Sequence, residues 1–416
     1  MYTRYLESLF IELLGEFRIL YLTGPRQAGK TTLVRSVAKM VDITYITLDN
    51  KTVLESVIND PFGFIRSFNG RNIIIDEFQY APVLISAIKE ASDALGPDEK
   101  GRFILTGSVD IFRSAKVQEA LPGHMARLEL YPLSIGEITG QRRNMIDYLN
   151  AGIFEPIQTP FVRRESLAQI VLNGGYPEVQ GKSPRGKNAW FKSYIEGRML
   201  KDFETLYAIR GDYHSKMKAL MPYLAGITGN LLKYASVSND LGLDDKLVKA
   251  YIEILELMFI FKRVPAYLKN KAKSLAITMP KLHIIDTGLA CSLLGIHNEN
   301  QLLASSYYGG LLESFVYMEL VKHATWSMES VELYHFRDKQ KNEVDIVLEQ
   351  NNGHVWGIEI KASSSVKVAD FQNLIQLSSF MGTSFLGGIV FYSGQEILPF
   401  HQNNIMLYAL PIGLLL

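Results

Sequence analysis

Short apolar runs alternate with helical periodicity along the first third of the chain. The runs RILYLTG, ITYITLD, NIIIDEF and FILTGS are rich in β-branched residues, whereas TTLVRSVAKMV carries apolar residues at helical spacing. This alternation predicts a parallel sheet with helices on both faces. NIIIDEF contains three consecutive isoleucines, as expected of a strand buried on both sides, and it ends in two acids at the edge where ligands of such sheets gather.

The pattern changes after YPLSIGEITG, and from about Tyr148 to Val264 it is mostly helical. Here YASVSNDLGLDDKLVKAYIEILELMFIFKRV predicts a helix, a turn at Gly242, a second helix capped by Asp244 or Asp245, and a strand. That order is the outline of a winged helix. It is compatible with two interpretations, a packing module between domains and a DNA-reading motif.

β-rich runs return from about Ala266 and predict a third, α/β unit. They are KLHIID, VELYHFR, EVDIVLE, VWGIEIKA and GGIVFYS, around the helical stretch LLESFVYMELVKHA. We therefore expect three domains, at residues 1–140, 141–265 and 266–416.

Composition narrows the class of protein. Of 416 residues, 47% are hydrophobic and 21% are charged, which is typical of globular proteins. Forty-three Lys and Arg balance 43 Asp and Glu, so binding of nucleic acid would have to rest on local patches. One basic stretch has two interpretations, a phosphate-backbone contact and a solvated loop. Its members are Lys262, Arg263, Lys269, Lys271 and Lys273.

Several features favour a cytoplasmic protein. The single cysteine, Cys291, rules out an intramolecular disulfide. The N-terminal stretch interleaves acids with apolar residues, unlike a signal peptide, and no apolar run approaches the roughly 20 residues that span a bilayer. We expect no membrane partner.

A phosphate-binding loop follows the first predicted strand. The residues Gly24, Pro25, Arg26, Gln27, Ala28, Gly29, Lys30 and Thr31 fit G-x-x-x-x-G-K-[ST], and Thr32 begins a helix. Such a loop curls so that its N–H groups and the helix N-terminus face phosphates. Lys30 would reach the β- and γ-phosphates and the Thr31 hydroxyl would ligate Mg²⁺. The pattern predicts ATP and Mg²⁺ as ligands.

Acids and hydroxyls at the ends of later strands complete this predicted site. Asp76 would hold the Mg²⁺, and Glu77 would orient or deprotonate the attacking water. Thr106 and Ser108 are suited to sensing the γ-phosphate or the water. The alternatives are a solvated acid at a strand end for Glu77, and a simple turn for the two hydroxyl residues.

Phosphoryl transfer usually also requires an arginine, often from a neighbouring subunit. Arg113 and Arg127 are the candidates in this region, although an isolated arginine is more often solvated or salt-bridged.

Short motifs in a fixed order carry a resemblance that runs over nearly the whole chain. They are Gly24-Pro25-Arg26-Gln27 with Gly29-Lys30-Thr31-Thr32, Leu48-Asp49, Asp60-Pro61, Ile75-Asp76-Glu77 with Gln79, Leu105-Thr106-Gly107-Ser108, Pro132-Leu133-Ser134 with Glu137, Gly174-Gly175-Tyr176-Pro177, Lys281, Asp286-Thr287-Gly288-Leu289, and Glu313. Through these motifs and their order, the chain resembles the bacterial and archaeal AAA-type ATPases that carry a C-terminal DUF4143 domain.

The resemblance implies a fold and an activity. It implies that the predicted domain at residues 1–140 is a P-loop ATPase domain of the AAA type and that the α/β domain at 266–416 is restriction-endonuclease-like. Between them, the residue pattern predicts a helical domain with a winged-helix-like segment at 141–265. The resemblance also implies ATP binding and slow hydrolysis. The chain departs from the family pattern at Gly123-His124, where the family has Gly-Arg. If that arginine is the finger, Arg127 would have to substitute for it.

A second candidate site lies in the predicted C-terminal domain. Asp345 and the pair Glu359 and Lys361 read D…E-x-K on two strands joined by a turn. Alternation puts Glu359 and Lys361 on one face, where Asp345 can meet them. Two carboxylates and a lysine can hold Mg²⁺ against a scissile phosphate, and the resemblance implies Glu313 as a fourth member. The alternative is an exposed salt bridge at a sheet edge.

Together these sites favour an ATPase whose nucleotide state controls a nuclease-like domain acting on DNA. The alternative is a regulatory nucleotide-binding switch that engages protein partners through a catalytically inert nuclease-like fold. A homo-oligomer is expected from the way that related ATPase sites are completed across subunits.

Overall fold

The computed structural model describes residues 2–39, 43–68, 70–110, 123–154, 162–200, 203, 213–268, 276–402 and 405–416. These residues form two compact units. The first comprises Met1–Leu133 with Glu253–Ile260, and the second comprises Ser134–Ile252 with Phe261–Leu416. The expected division into three domains stays a prediction. Arg113 and three lysines of the basic stretch (Lys269, Lys271 and Lys273) lie outside the described residues.

The elements of the first unit follow the predicted alternation. Its helices are α1 (Leu6–Leu14), α2 (Lys30–Ala38), α3 (Lys51–Asn59), α4 (Pro61–Arg66) and α5 (Leu84–Asp93). Its strands are β1 (Ile19–Thr23), β2 (Ile43–Thr47), β3 (Asn72–Asp76), β4 (Phe103–Gly107) and β5 (Met125–Glu129).

These strands form a five-stranded sheet in the order β2-β3-β4-β1-β5, and every pairing is parallel. The predicted parallel sheet is confirmed. Ile73, Ile74 and Ile75 are all fully buried, because β3 is an interior strand of the sheet and both of its faces are covered. On one face, Ile73 and Ile75 pack in a cluster with Leu84 of α5. Strand β4 thus lies between the strand that precedes the phosphate loop and the strand that ends in Asp76.

The second unit contains more helix. Its helices are α6 (Ile135–Thr139), α7 (Met145–Ala151), α8 (Arg164–Asn173), α9 (Pro184–Ser193), a π-helix (Tyr194–Met199), α10 (Tyr213–Gly226), α11 (Tyr234–Leu241), α12 (Asp245–Leu257), α13 (Thr287–Leu293), α14 (Glu299–Ala304), α15 (Tyr308–Ala324) and α16 (Gln372–Met381). Its strands are β6 (Asn230–Leu231), β7 (Phe261–Val264), β8 (Lys281–Ile284), β9 (Val331–Arg337), β10 (Glu343–Gln350), β11 (Val355–Lys361), β12 (Phe385–Tyr392), β13 (Leu398–Gln402) and β14 (Ile405–Pro411). The last residues of α12, from Glu253, belong to the first unit.

The helix-turn-helix-strand order predicted in the middle of the chain is present as α11, α12 and β7. Helix α11 ends at Gly242, whose φ is 63°, and the Asp244 carboxylate caps α12 by accepting from the N–H groups of Lys246 and Leu247 at 2.9 and 3.1 Å. Strand β7 pairs with β8 in an antiparallel sheet of order β6-β8-β7. The run KLHIID therefore pairs with strands of the middle region rather than with the later β-rich runs.

The later runs form a six-stranded mixed sheet in the order β13-β14-β12-β11-β10-β9. β10 and β11 form an antiparallel hairpin around Gly353, whose φ is 82°, as expected for the turn that separates Asp345 from Glu359. Helix α16 packs against this sheet through Leu374 and Leu377, in a cluster with Val347. Among the described residues, no helix is long and apolar enough to cross a bilayer.

Gly24 marks the tightest backbone packing of the first unit. Its φ is 146°, and a Cβ added there would lie 2.1 Å from the carbonyl oxygen of Leu130, the residue that follows β5. The N–H of Leu130 donates to the Thr23 carbonyl at 2.8 Å, so the two segments cannot separate without breaking the pairing of β1 with β5.

We predict that Gly24→Ala destabilises the first unit by about 2–4 kcal/mol, since the substitution adds both overpacking and backbone strain. The matched control is Gly70→Ala, where φ is also positive, at 85°, but nothing lies within 4 Å of the added Cβ. Hydrogen exchange of peptides that cover β1 would measure the difference. Equal exchange in the two variants would show that the approach to Leu130 is unimportant.

Candidate phosphate site and C-terminal carboxylate cluster

The predicted phosphate loop curls between β1 and α2. Positive φ angles at Gly24, Gln27 and Gly29, of 146°, 62° and 100°, give the loop its turn, and α2 begins at Lys30 directly after it. Arg4 braces the loop, because its guanidinium donates to the carbonyls of Ala28 and Tyr131 at 2.6 and 2.7 Å. The loop is therefore held in shape by its own backbone and by the N-terminal segment.

The Lys30 ammonium lies over the loop. It is 6% exposed and donates to the carbonyl oxygens of Gly24 and Pro25 at 2.8 and 2.9 Å. These carbonyls are neutral acceptors. A phosphate oxygen is an anionic and therefore stronger acceptor for the same ammonium.

The Asp76 carboxylate, at the end of β3, joins three other elements. Its Oδ2 accepts from the Thr31 hydroxyl of α2 at 2.9 Å and from the Tyr45 hydroxyl of β2 at 2.5 Å. Its Oδ1 accepts from the Thr106 hydroxyl of β4. The carboxyl ends of parallel strands share one sheet edge, so the predicted residues Thr31, Asp76 and Thr106 meet there.

Tyr45 was not singled out from the sequence. Its pKa is raised to about 12, first by burial and then by its hydrogen bond to the Asp76 carboxylate, so the phenol is a neutral donor at physiological pH. The guanidinium of Arg35 lies 4.3 Å from the centre of its ring. In the run ITYITLD a tyrosine is an ordinary strand residue, so no signal in the sequence marked it.

Glu77 follows Asp76 with a φ of 58°, which is uncommon for a residue with a side chain. Its N–H donates hydrogen bonds to Asp76 Oδ1 and Thr106 Oγ at 3.2 and 3.3 Å, and these bonds explain why the backbone adopts this conformation. Its carboxylate accepts from the Gln79 amide and from the Ser108 hydroxyl. The structure thus brings Glu77 and Ser108 together, with Gln79 between them.

The described positions considered for the catalytic arginine are Arg127 and position 124. Arg127 forms ion pairs with Asp110 and Glu129 at 2.6 and 2.5 Å, so its charge is already neutralised within the unit. His124 precedes β5 and contacts Arg18 Nη1 at 3.4 Å and Asp93 at 3.5 Å. That position is at the amino edge of the sheet, whereas the phosphate loop is at the carboxyl edge. Within one copy of the chain, position 124 is therefore on the wrong edge to serve the loop.

Residues 16–139 match the AAA domain family. The chain contains an AAA domain. The parallel sheet and the loop between β1 and α2 agree with this match, and a P-loop fold of this kind supports nucleotide binding. Residues 164–300 match a domain of unknown function, DUF8612, and residues 308–415 match another, DUF4143.

Similarity to related proteins covers more of the chain than the AAA domain. The chain is similar to the uncharacterized protein Rv2008c of Mycobacterium tuberculosis (strain ATCC 25618 / H37Rv), with 26% identity over 353 residues that cover 84% of this chain and 72% of that protein. The uncharacterized protein Mb2031c of Mycobacterium bovis gives the same values. A solved structure, the Walker-type ATPase PABY2304 of Pyrococcus abyssi, shares 15% identity and a TM-score of 0.45, covering 70% of this chain and 96% of that one.

In the second unit, two carboxylates of the C-terminal candidate site, Glu313 and Asp345, contact a buried lysine. Lys281 of β8 is 0% exposed, and its ammonium lies 2.8 Å from Glu313, 2.6 Å from Glu343 and 3.2 Å from Asp345. We call these four residues the Lys281 cluster. Burial alone lowers the pKa of Lys281, but the three carboxylates outweigh burial and hold the pKa above its usual value.

Glu359 and Lys361 lie beside this cluster on β11. Their ion pair measures 3.2 Å, and Asp345 Oδ2 accepts from the N–H of Ile360 at 3.0 Å. Burial and then the nearby Asp345 raise the pKa of Glu359 to about 8. The structure therefore brings together the predicted residues Glu313, Asp345, Glu359 and Lys361, with Lys281 and Glu343 in addition.

In the part of the chain that the structure describes, no group of three or more His, Cys, Asp or Glu is arranged to hold a metal ion. In the Lys281 cluster the reason is visible, since one ammonium occupies the position that three carboxylates face. The motif series contained Lys281 but carried no indication of this role. The contact joins β8 to α15 and β10, which are distant in sequence.

We predict that Lys281→Met destabilises the second unit by about 3–5 kcal/mol, because three carboxylates would lose their shared cation in a buried setting. All three tryptophans, Trp190, Trp326 and Trp356, lie in this unit, so tryptophan fluorescence during urea unfolding reports on it selectively.

The control is Lys361→Met. That ammonium is 36% exposed in its side chain and pairs with one carboxylate rather than three, so its loss should cost less, about 1–2 kcal/mol. If Lys281→Met were no more destabilising than Lys361→Met, the Lys281 cluster would not be a stabilising centre of the unit.

Proposed function

We propose that this chain binds Mg·ATP in its AAA domain and hydrolyses it. One observation carries the proposal: the Asp76 carboxylate is joined to Thr31 of the phosphate loop helix and to Thr106 of β4, and Glu77 stands next to it. A helix that would bind the nucleotide, a carboxylate that would hold Mg²⁺ and a carboxylate that would accept a proton from water therefore lie at one sheet edge.

The residues at this edge suit Mg²⁺ and triphosphate. The Thr31 hydroxyl and Asp76 Oδ2, which are 2.9 Å apart, are the hard oxygen donors that Mg²⁺ prefers. Bound there, Mg²⁺ would neutralise charge on the phosphates. The Lys30 ammonium would exchange its hydrogen bonds to the carbonyls of Gly24 and Pro25 for hydrogen bonds to phosphate oxygens. The N–H groups of the loop would bind the other phosphate oxygens.

Glu77 would accept a proton from the attacking water. A water is a poor nucleophile toward a polyanion, so a carboxylate that orients and deprotonates it lowers the barrier. Among the described residues, the candidate Arg127 is neutralised by Asp110 and Glu129, and we propose that the arginine that stabilises the transferring phosphoryl group comes from a second copy of the chain. A homo-oligomer is part of this proposal.

The C-terminal domain has two candidate roles, each supported by an observation. The proximity of Asp345, Glu359 and Lys361 supports a nuclease-like domain that acts on DNA in response to nucleotide state. The position of Lys281 among Glu313, Glu343 and Asp345 supports a nuclease-like fold without cleavage, in a switch that engages protein partners. A divalent metal would have to displace a tethered, fully buried ammonium, so we favour the switch.

We expect the purified chain to release phosphate from ATP in a Mg²⁺-dependent reaction. The turnover rate of the Lys30→Ala variant should be at least about 100-fold lower, since the variant lacks the ammonium that binds phosphate. Lys39→Ala, which removes an exposed lysine at the end of the same helix, should keep turnover near the wild-type rate. Equal turnover by Lys30→Ala and the wild type would contradict the proposed site. Stimulation by duplex DNA would favour DNA as partner, and indifference to DNA would favour protein partners.

For the C-terminal domain we expect no cleavage of supercoiled plasmid by the wild-type chain in Mg²⁺ or Mn²⁺, because the Lys281 ammonium holds the carboxylates that a metal would need. Gel electrophoresis of the plasmid provides the measurement. Nicking that disappears in Asp345→Ala and persists in Lys30→Ala would overturn this expectation and support the nuclease. The second variant excludes an effect that depends on ATP turnover.

A further inference from the structure

Gln79 is a buried amide inserted between two residues of the candidate site. It lies in the 3₁₀ turn Phe78–Tyr80 directly after Glu77, and it is 5% exposed. Its Nε2 donates to Glu77 Oε2 and to the Ser108 hydroxyl, the latter at 3.0 Å, while its Oε1 accepts from the Ser108 N–H at 3.2 Å. Both amide N–H bonds and the carbonyl are therefore used, and each contacts a candidate site residue.

This arrangement makes the two oxygens of the Glu77 carboxylate unequal. Oε2 accepts from Gln79 and also from the Ser108 hydroxyl at 3.2 Å, so its acceptor capacity is filled. Within the described chain, Oε1 accepts no hydrogen bond from protein. Only Oε1 is therefore left to take a proton from a water molecule.

Gln79 packs closely against Gly107 of β4. A Cβ added at Gly107 would lie 3.2 Å from Gln79 Oε1 and 2.6 Å from the Tyr21 hydroxyl, so the glycine leaves the space that the amide needs beside β4. The backbone of Glu77 is held by Asp76 and Thr106. The Glu77 side chain is thus held at both ends, by the hydrogen bonds of the Glu77 backbone N–H and by those that Oε2 accepts.

We propose that Gln79 is a positioning residue for ATP hydrolysis: its amide holds Oε2 of Glu77 and the end of β4 at Ser108 in one network, so that Oε1 is the oxygen that receives the proton of the attacking water. The inference rests on the proposed ATP hydrolysis. It assigns to Gln79 no contact with the nucleotide.

An amide is the group that this position requires. A methionine would keep the length of the side chain but donate nothing to Glu77. A glutamate would place a second carboxylate against the first, and two such groups can coexist only if they share a proton. In Gln79→Glu, activity should therefore recover as the pH falls, because the introduced side chain, once protonated, again donates to Glu77.

The test is steady-state ATP hydrolysis by the full chain in Gln79→Met, Gln79→Glu, Ser108→Ala and the double variant Gln79→Met/Ser108→Ala. We expect Gln79→Met to lower kcat by on the order of 10- to 100-fold with KM changed less than about threefold, as for loss of part of a general-base arrangement. The double variant should lose about as much as Gln79→Met alone, since the residues act as one network. The pH profile of Gln79→Glu should shift to lower pH.

The matched control is Ser92→Ala, which removes a fully buried serine hydroxyl of the same unit that has no hydrogen-bond partner, and it should leave kcat unchanged. A kcat for Gln79→Met within twofold of wild type, while Glu77→Gln is inactive, would overturn the inference and leave the proposed function intact. An equal fall of kcat in Gln79→Met and Gln79→Glu at every pH would also overturn it, since a merely structural role gives no pH shift. A wild type that releases no phosphate would instead defeat the proposed function and the inference with it.

Discussion

A single buried carboxylate, that of Asp76, connects three elements of the AAA domain at the candidate phosphate site. It is 3% exposed and accepts hydrogen bonds from hydroxyl groups on α2, β2 and β4, which come from three separate segments of the chain. A buried charge is tolerated only when donors surround it, so the sheet order and the site depend on each other. The parallel order, in which β3 lies between β2 and β4, brings these donors to one edge.

The sequence allowed much of this arrangement to be predicted, for local reasons. The phosphate loop, the strand NIIID and the hydroxyls of FILTGS are each marked by spacing or by an unusual residue at a strand end. The parallel sheet follows from their alternation with helices. The roles of Tyr45 and Gln79 were not predictable in this way, because a tyrosine in a strand and a glutamine in a short turn have no distinctive pattern. Their roles depend on contacts with Asp76 and Ser108, which only the folded sheet brings near.

In the C-terminal motif, too, local contacts could be predicted from the sequence and a contact between distant residues could not. Alternation along β10 and β11 predicted the proximity of Asp345 to Glu359 and Lys361, because the hairpin that joins these strands is local. It could not predict that Lys281, more than sixty residues earlier, lies among the carboxylates at 2.6 to 3.2 Å. One carboxylate of the motif that suggests a metal site, Asp345, is therefore paired with an internal cation in the fold.

The role that we propose for Glu77, beside Asp76, is to drive cleavage of a bound ATP by water. The most direct measurement identifies the nucleotide retained after the wild-type chain and Glu77→Gln are incubated with Mg²⁺ and radiolabelled ATP and passed through a desalting column. We expect ADP or no nucleotide on the wild type and intact ATP on Glu77→Gln. Retention of ATP by both proteins, or conversion to ADP by both, would contradict the role assigned to this carboxylate.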